Sequence, residues 1–266
     1  MEQEDDSLLV SLANSYDDEP DIIEIDHWDA PEENDVRILT APNQPYPIHG
    51  QCPRTLLGSH TWNAMRRYCY EQSEDTCEVC GFHPDDNRKR HAHEIMSIDY
   101  TTQTAIYKRT ICLCSKCHLQ CIHTGRALTM YKKNSPLMVK EMLLDGAEHA
   151  YSLIAKWNSE HLDDAPLRLF STWLDYEKYP ELKDRMVELR KQYGIKFYKV
   201  SNSWYDEDHW SNWKLVISGK AYPTPYKNHA EWELAMEKNN LKRKGELTTP
   251  FSGKVYNELD KFLKED

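Results

Sequence analysis

Two pairs of cysteines constrain the folding of this chain more than any other feature of its sequence. Each pair has the spacing C-x2-C, and 33 residues separate Cys77 and Cys80 from Cys114 and Cys117. A C-x2-C turn brings two thiolates together, and two such turns complete the tetrahedral set of ligands that structural zinc requires. The spacing therefore predicts one structural Zn2+ held by these four residues, with buried or disulfide-linked cysteines as the alternative.

The distribution of cysteines and of apolar residues indicates the compartment. All eight cysteines of the 266-residue chain lie between Cys52 and Cys121, whereas small secreted proteins spread their disulfides through the chain. The N-terminus, MEQEDD, has the wrong charge for a targeting peptide, and no apolar stretch approaches the roughly 18 residues of a membrane span. We therefore expect a cytoplasmic, metal-binding protein with no membrane partner.

The charge of the chain is unevenly distributed. The net charge is −11, but residues 1–50 hold fourteen acidic residues and one basic residue, which gives −13. Residues 51–133 hold twelve Lys and Arg against eight Asp and Glu, which gives +4. We interpret residues 1–50 as an acidic extended arm, either solvated or docked onto the rest of the chain. The basic segment is compatible with phosphate contact but too weakly charged to argue for it alone.

The hydrophobic pattern predicts an α+β protein with three segments. These are the acidic arm (1–50), a core with a helical lead-in (51–133), and a C-terminal region that is helical and then α+β (134–266). In the core, the periodicity predicts a helix from residue 61, strands at 90–100 and 105–113, and a helix that begins near Ser115. Farther along, it predicts helices at 135–158, 166–193 (broken before Pro180) and 229–240, and strands at 195–200 and 213–218.

The residues between and beside the cysteine pairs carry a resemblance. The motifs are CEVCG, HEIMSID, LCSKCH and HTG, preceded by a tryptophan-containing lead-in, GSHTWNAMRRYCYEQ. Together they resemble the HNH (His-Me finger, ββα-metal) endonuclease superfamily in its zinc-stapled form, over about residues 53–125. The resemblance implies a ββα-metal core, metal-dependent hydrolysis of DNA, and a phage or bacterial-defence setting.

This chemistry needs a base that activates water and a divalent cation that stabilises the charge on the phosphate. The resemblance implies that the first strand supplies the base and one metal ligand, and that the helix supplies a second ligand, His118. His93 and Glu94 occupy the strand positions, and the division of roles between them stays open. We expect Mg2+, Mn2+ or another divalent cation. His91, on the same strand face as His93, is expected to contact phosphate or solvent.

Three positions depart from or qualify the resemblance. Related sequences show CHxxxH, whereas His123 follows His118 by five residues, and the extra residue rotates it by about 100° on an α-helix. His123 is nevertheless a candidate for completing the metal shell or contacting the scissile phosphate. Arg109 or Thr110 stands where the superfamily has an asparagine. Asp99 matches a recurring acidic position and either orients a histidine from behind or lies in an exposed turn.

An aromatic tract near the C-terminus has two interpretations. Its side chains either form the core of a small sheet or stack on nucleic-acid bases, and burial is the commoner fate of such residues. The tract comprises Tyr198, Trp204, Tyr205, Trp210 and Trp213.

The sequence analysis therefore predicts a metal-dependent endonuclease that acts on double-stranded DNA. Two other classes stay open. One is a catalytically weak or inactive HNH-derived module that binds nucleic acid or protein, which the missing asparagine and the displaced His123 would permit. The other is an inhibitor that acts through the acidic arm, with the metal-binding core as its scaffold. The arm or the C-terminal region would then contact a protein partner.

Overall fold

The computed structural model describes residues 21–83, 90–123 and 136–243, which form two β-sheets covered by helices. The larger sheet has five strands in the order β2-β3-β4-β7-β8, and the smaller has three in the order β1-β6-β5. The strands are β1 (Ile22–Glu24), β2 (His27–Trp28), β3 (Arg90–Asp99), β4 (Thr104–Cys114), β5 (Leu169–Phe170), β6 (Phe197–Lys199), β7 (Lys214–Ile217) and β8 (Lys220–Pro223).

The helices confirm the α+β class. Within the described residues, no helix is both long enough and apolar enough to cross a membrane. The α-helices are α1 (Pro53–Gln72), α2 (Pro136–Glu160), α3 (Pro180–Gln192), α4 (Glu207–Trp210) and α5 (His229–Arg243). A π-helix covers Lys116–Ile122, and 3-10 helices cover Val36–Thr40, Tyr46–Ile48, Ser171–Lys178 and Asn202–Tyr205.

The antiparallel hairpin β3–β4 is the centre of the larger sheet. Its bounds agree with the two predicted strands to within a residue, and His91 and His93 lie opposite Leu113 and Ile111. The register shifts after Ile95, where a bulge ends the regular alternation. One face of the hairpin packs in a buried apolar cluster, and α1 packs against the hairpin. The hairpin therefore presents two different environments to alternate side chains.

The described part of the predicted arm, residues 21–50, is packed into the fold. β1 pairs with β6 and β2 pairs with β3, so these residues extend both sheets. Trp28, Ile38 and Ile48 are buried, and the Trp28 indole donates to Thr40 Oγ1 at 3.0 Å. The solvated interpretation is wrong for this part because Trp28, Ile38 and Ile48 are core residues. Residues 1–20, with seven acidic side chains and no basic one, lie outside the described residues.

Residues from all three predicted segments share the larger sheet. β2 comes from the first segment, β3 and β4 from the second, and β7 and β8 from the third. β7 pairs in parallel with β4, and it turns back into β8 at Ser218 and Gly219, both with positive φ. The division into three domains stays a prediction, but the C-terminal region completes the sheet on which the hairpin lies.

Two predicted helices differ from those observed. The first begins at Pro53 rather than at residue 61, and Gly58 interrupts it with a φ of +82° that other residues rarely adopt. The predicted helix pair over 166–193 contains one α-helix, α3; before it, the chain pairs as β5 and then forms a 3-10 helix. The Asn158 side chain donates to the carbonyl of Leu167 at 3.3 Å and accepts the Leu167 N–H at 2.7 Å, which ties the end of α2 to the residues just before β5.

The aromatic tract confirms the core interpretation at three positions. Tyr198, Trp210 and Trp213 are buried. The Trp213 indole donates to the carbonyl of Trp204 at 2.8 Å, and the Trp210 indole donates to the carbonyl of Tyr226 at 2.9 Å. Because their polar atoms are paired inside the protein, these rings stabilise the sheet and are not available for stacking on bases.

Candidate metal centres

The four cysteines of the two C-x2-C pairs form one cluster. The sulfur atoms of Cys77, Cys80, Cys114 and Cys117 all lie within 4.8 Å of one another, and the Cys80 and Cys114 sulfurs are 3.8 Å apart. All eight cysteines of the chain are free, which excludes the disulfide alternative in this structure. The geometry confirms that these residues could hold one metal ion.

Local hydrogen bonds explain how each pair turns its thiols inward. Cys77 donates its N–H to the carbonyl of Phe82 at 2.9 Å, and Gly81 donates to the carbonyl of Cys77 at 2.9 Å. This turn places Gly81 at a φ of +70°, a conformation that glycine adopts at little cost. In the second pair, the Cys117 N–H points to the Cys114 sulfur at 3.4 Å. The turn residues themselves therefore create the cluster.

A buried carboxylate fixes the first turn to β4. The Glu78 side chain accepts the N–H of Cys112 at 2.8 Å and forms an ion pair with Arg109, and the Glu78 N–H donates to the carbonyl of Cys112 at 2.9 Å. Arg109 also donates to the carbonyl of Glu33 at 2.9 Å. Arg109, one of the two residues at which the resemblance leads us to expect an asparagine, thus supports the cysteine cluster. The contact between Arg109 and Glu78 was not predicted from the sequence.

The thiols perturb one another strongly. Hydrogen bonds lower the pKa of Cys77, with Cys114 as the largest cause, and lower the pKa of Cys114 to about 7, with Cys117 as the largest cause. The same contacts raise the pKa of Cys80 and Cys117. Four buried thiolates cannot all be charged without a cation, and a set of four sulfur ligands suits zinc or an iron–sulfur cluster.

A second cluster lies directly beside the first along the chain. The ring nitrogens of His93, His118 and His123 lie within 4.8 Å of one another. The Nε2 atoms of His118 and His123 are 3.1 Å apart, and the His93 ring centroid is 5.3 Å and 5.2 Å from those of His118 and His123. The structure therefore brings together three of the four predicted catalytic residues.

The π-helix explains why His123 joins this cluster. The His123 N–H donates to the carbonyl of His118 at 3.2 Å, which closes a turn five residues long. A π-helix joins residues i and i+5 by a hydrogen bond and brings them closer to one face, whereas an α-helix rotates them farther apart. The additional residue that cast doubt on His123 in the sequence is accommodated by the wider turn. The 100° displacement expected for an α-helix is therefore wrong for this segment.

Glu94, the other predicted residue of the strand pair, lies away from the histidines. Neighbouring side chains of a strand point to opposite faces, and the Glu94 carboxyl lies near Cys52 and Arg54 at the start of α1, which lower its pKa against the effect of burial. Burial raises the pKa of Glu94. Of the two residues between which the sequence left the roles open, only His93 reaches the histidine cluster.

The structure also shows the contacts of His91 and Asp99, two residues that the sequence singled out. The His91 ring stacks on that of His118, with centroids 4.7 Å apart and planes 11° apart, and its Nε2 lies 3.1 Å from Ser115 Oγ. It therefore supports the ring of His118. Asp99 accepts hydrogen bonds from Thr101 Oγ1 at 2.6 Å and the Thr102 N–H at 3.1 Å. The turn interpretation of Asp99 is confirmed.

Electrostatics favour neutral imidazole at His93. Desolvation by the surrounding protein, and to a smaller degree the nearby His123, lower the pKa of His93 to about 3. Neutral imidazole is the form that binds metal ions. Three imidazoles without a carboxylate could hold a divalent cation and would leave part of its coordination shell open to other ligands.

Comparisons of the chain with family models, with curated proteins and with solved structures found no match. Functional inference for this protein therefore rests on the chemistry of its two clusters and on the sequence motifs that form them.

Proposed function

We propose that this protein is a metal-dependent endonuclease that hydrolyses phosphodiester bonds of DNA. In this proposal, zinc occupies the cysteine cluster as a structural ion, and a catalytic divalent cation occupies the histidine cluster. The observation that carries it is the convergence of His93, His118 and His123 at the junction of the hairpin with the π-helix, beside four cysteines. Along the chain, two strands are followed by a cysteine pair and a helix. This order of elements supports the resemblance to the ββα-metal core.

The two clusters suit different functions. Structural zinc sites are closed by four protein ligands, whereas catalytic sites have three protein ligands and an open position. Cys77, Cys114 and Cys117 are almost fully buried, and the three histidines are only half-buried. The enclosed set of four thiols therefore suits a structural ion, and the accessible set of three imidazoles suits a substrate-binding one.

The chain's own residues define the chemistry at the histidine cluster. A bound cation would supply Lewis acidity that activates water and stabilises the developing charge on phosphate. His118 and His123 would hold it from the π-helix, and the depressed pKa of His93 suits a third neutral ligand better than a proton acceptor. Neutral ligands leave the full positive charge of the cation available to an anionic phosphate. Imidazole donors suit Ni2+ or Zn2+ better than Mg2+. We therefore expect Ni2+ or Zn2+ to activate DNA cleavage more strongly than Mg2+.

The test is a plasmid-nicking assay on the zinc-containing full chain with Mg2+, Mn2+ or Ni2+ added. We expect nicking with at least one cation and a loss of about 100-fold or more in His118→Ala and His123→Ala, with zinc content unchanged. His161→Ala, at an exposed histidine outside the cluster, is the matched control. Cleavage by both cluster variants at the parental rate would show that these residues are not the nuclease site.

A DNA-binding module without nuclease activity is the second candidate. Arg109 favours it, because its guanidinium is engaged with Glu78 at the cysteine cluster and supplies no amide that could brace a base near His93. The same protein samples, examined by gel shift, distinguish the two functions. Retarded but uncut DNA with every cation would indicate a binding module.

A further inference from the structure

The π-helix rests on a single turn of α2, through three side-by-side contacts. Lys116 Nζ lies 2.8 Å from Asp145 Oδ1, and the Cys121 thiol donates to the carbonyl of Gly146 at 3.4 Å. At the end of the same turn, His149 Nε2 lies 3.3 Å from the Cys117 sulfur. We call Asp145, Gly146 and His149 the α2 clamp.

Gly146 sets the distance between the two helices. A Cβ atom at this position would lie 2.7 Å from the carbonyl oxygen of Gln120 and 2.8 Å from its Cβ. The first of these is a backbone atom of the π-helix, so the clash cannot be relieved by rotating a side chain. Any larger residue at 146 would therefore push the π-helix away from α2.

His149 connects α2 to the residue that precedes His118. Because a metal-bound thiolate accepts hydrogen bonds, His149 in its Nε2–H tautomer would donate to Cys117. Such outer hydrogen bonds fix the orientation of the ligand that receives them. Since Cys117 and His118 are consecutive residues, holding one restricts the other.

A π-helix is less favourable than an α-helix and needs support from its surroundings. If the segment relaxed to an α-helix, His123 would rotate away from His118. We propose that the α2 clamp maintains the π-helical geometry and that Gly146 and His149 are positioning residues for His118 and His123. This inference rests on the proposed cation site at the histidine cluster and extends that site to a helix that contributes no ligand to it.

The test uses the full chain with zinc in the cysteine cluster and Co2+ as the probe of the histidine cluster. Thiolate ligation of Co2+ gives charge-transfer absorption that imidazole ligation lacks, so the spectrum reports which cluster binds. We expect Gly146→Ala to lower the Co2+ affinity of the histidine cluster about tenfold or more. Glu148→Ala, at an exposed position of the same turn, should bind Co2+ as the parent does.

A second pair of variants decides the matter if Gly146→Ala does not fold. His149→Ala should lower the Co2+ affinity about tenfold, whereas His149→Gln, which retains a donor at a similar reach, should restore most of it. Folded Gly146→Ala and His149→Ala proteins with parental Co2+ affinity would overturn the clamp alone. A parent protein that binds no Co2+ outside its cysteine cluster would overturn the proposed cation site and the clamp with it.

Discussion

Cys117 and His118 are consecutive residues, yet they belong to two clusters built in opposite ways. The cysteine cluster is buried except at Cys80, which is partly exposed, and each half of its four donors is formed by a turn of a few residues. The histidine cluster is half-buried, has three donors, and combines a strand with a π-helix. One short segment thus joins a closed set of four thiol donors to a more open set of three imidazole donors.

The two clusters also differ in what maintains them. The cysteine turns are held by their own backbone hydrogen bonds and by the buried Glu78. The histidines depend on the register of β3, on the stacking of His91 over His118, and on the packing of α2. Damage to the cysteine cluster should therefore unfold the core, whereas damage to the histidine cluster should leave it folded.

The largest expected effect is that of Cys80→Ser. Structural zinc contributes about 10–16 kcal/mol of apparent binding free energy that folding uses, so loss of one thiolate should release the metal and expose the 77–123 region to protease. Zinc content and limited proteolysis measure both consequences. Cys52→Ser, outside the cluster, is the control. If Cys80→Ser retained stoichiometric zinc and parental protease resistance, the distinction between the clusters would be lost.

A smaller loss of stability is expected from Arg109→Ala. This change leaves the Glu78 carboxylate buried without its cation, and breaking a buried pair costs about 3–5 kcal/mol. Because Arg109 is partly exposed, we expect about 2–3 kcal/mol in urea denaturation, accompanied by weaker zinc retention. Lys156→Ala, which removes an exposed ion pair with Glu160, should cost less than about 0.5 kcal/mol. Equal costs for the two variants would contradict the supporting function of Arg109.

The histidine cluster should make stability depend on pH. The folded protein keeps His93 neutral down to a pKa of about 3, whereas the unfolded chain protonates it near 6.5. The unfolded state thus binds more protons, and stability should fall as the pH decreases from about 7 to 5.5, by at most about 1.4 kcal/mol per pH unit. The free energy of unfolding is measured against pH without added divalent cation. The stability of the His93→Gln variant should depend less steeply on pH than that of the parent. Parallel curves for parent and variant would rule out this contribution.

The smallest expected effect concerns residues 1–20. Deleting them removes seven acidic residues and no basic one, and the zinc content should not change. If this segment competes with DNA, the deletion should tighten DNA binding severalfold near 0.1 M salt, where the Debye length is about 10 Å, and less at higher salt. The deletion must end at residue 20, because residues 21–50 carry β1, β2 and buried Trp28. Equal affinities at all salt concentrations would assign the segment no influence on DNA binding.

Features that depend on local spacing could be predicted from the amino-acid sequence. The C-x2-C pairs predicted the cysteine cluster, and the strand predictions at 90–100 and 105–113 match β3 and β4 to within a residue. These succeeded because a turn of four residues and the two-residue period of a strand are properties of consecutive residues. The proximity of His93 to His118 was implied by the resemblance, and the structure brings them together.

Which neighbouring residues complete the two clusters became clear from the folded structure. It placed Glu94 against α1 and Arg109 against Glu78, and it packed residues 21–50 into both sheets. It also brought His123 back over His118, through a π-helix held close to Gly146. None of these follows from spacing along the chain, because each depends on contacts between residues that are distant in sequence and on a helical geometry that local preference alone does not select.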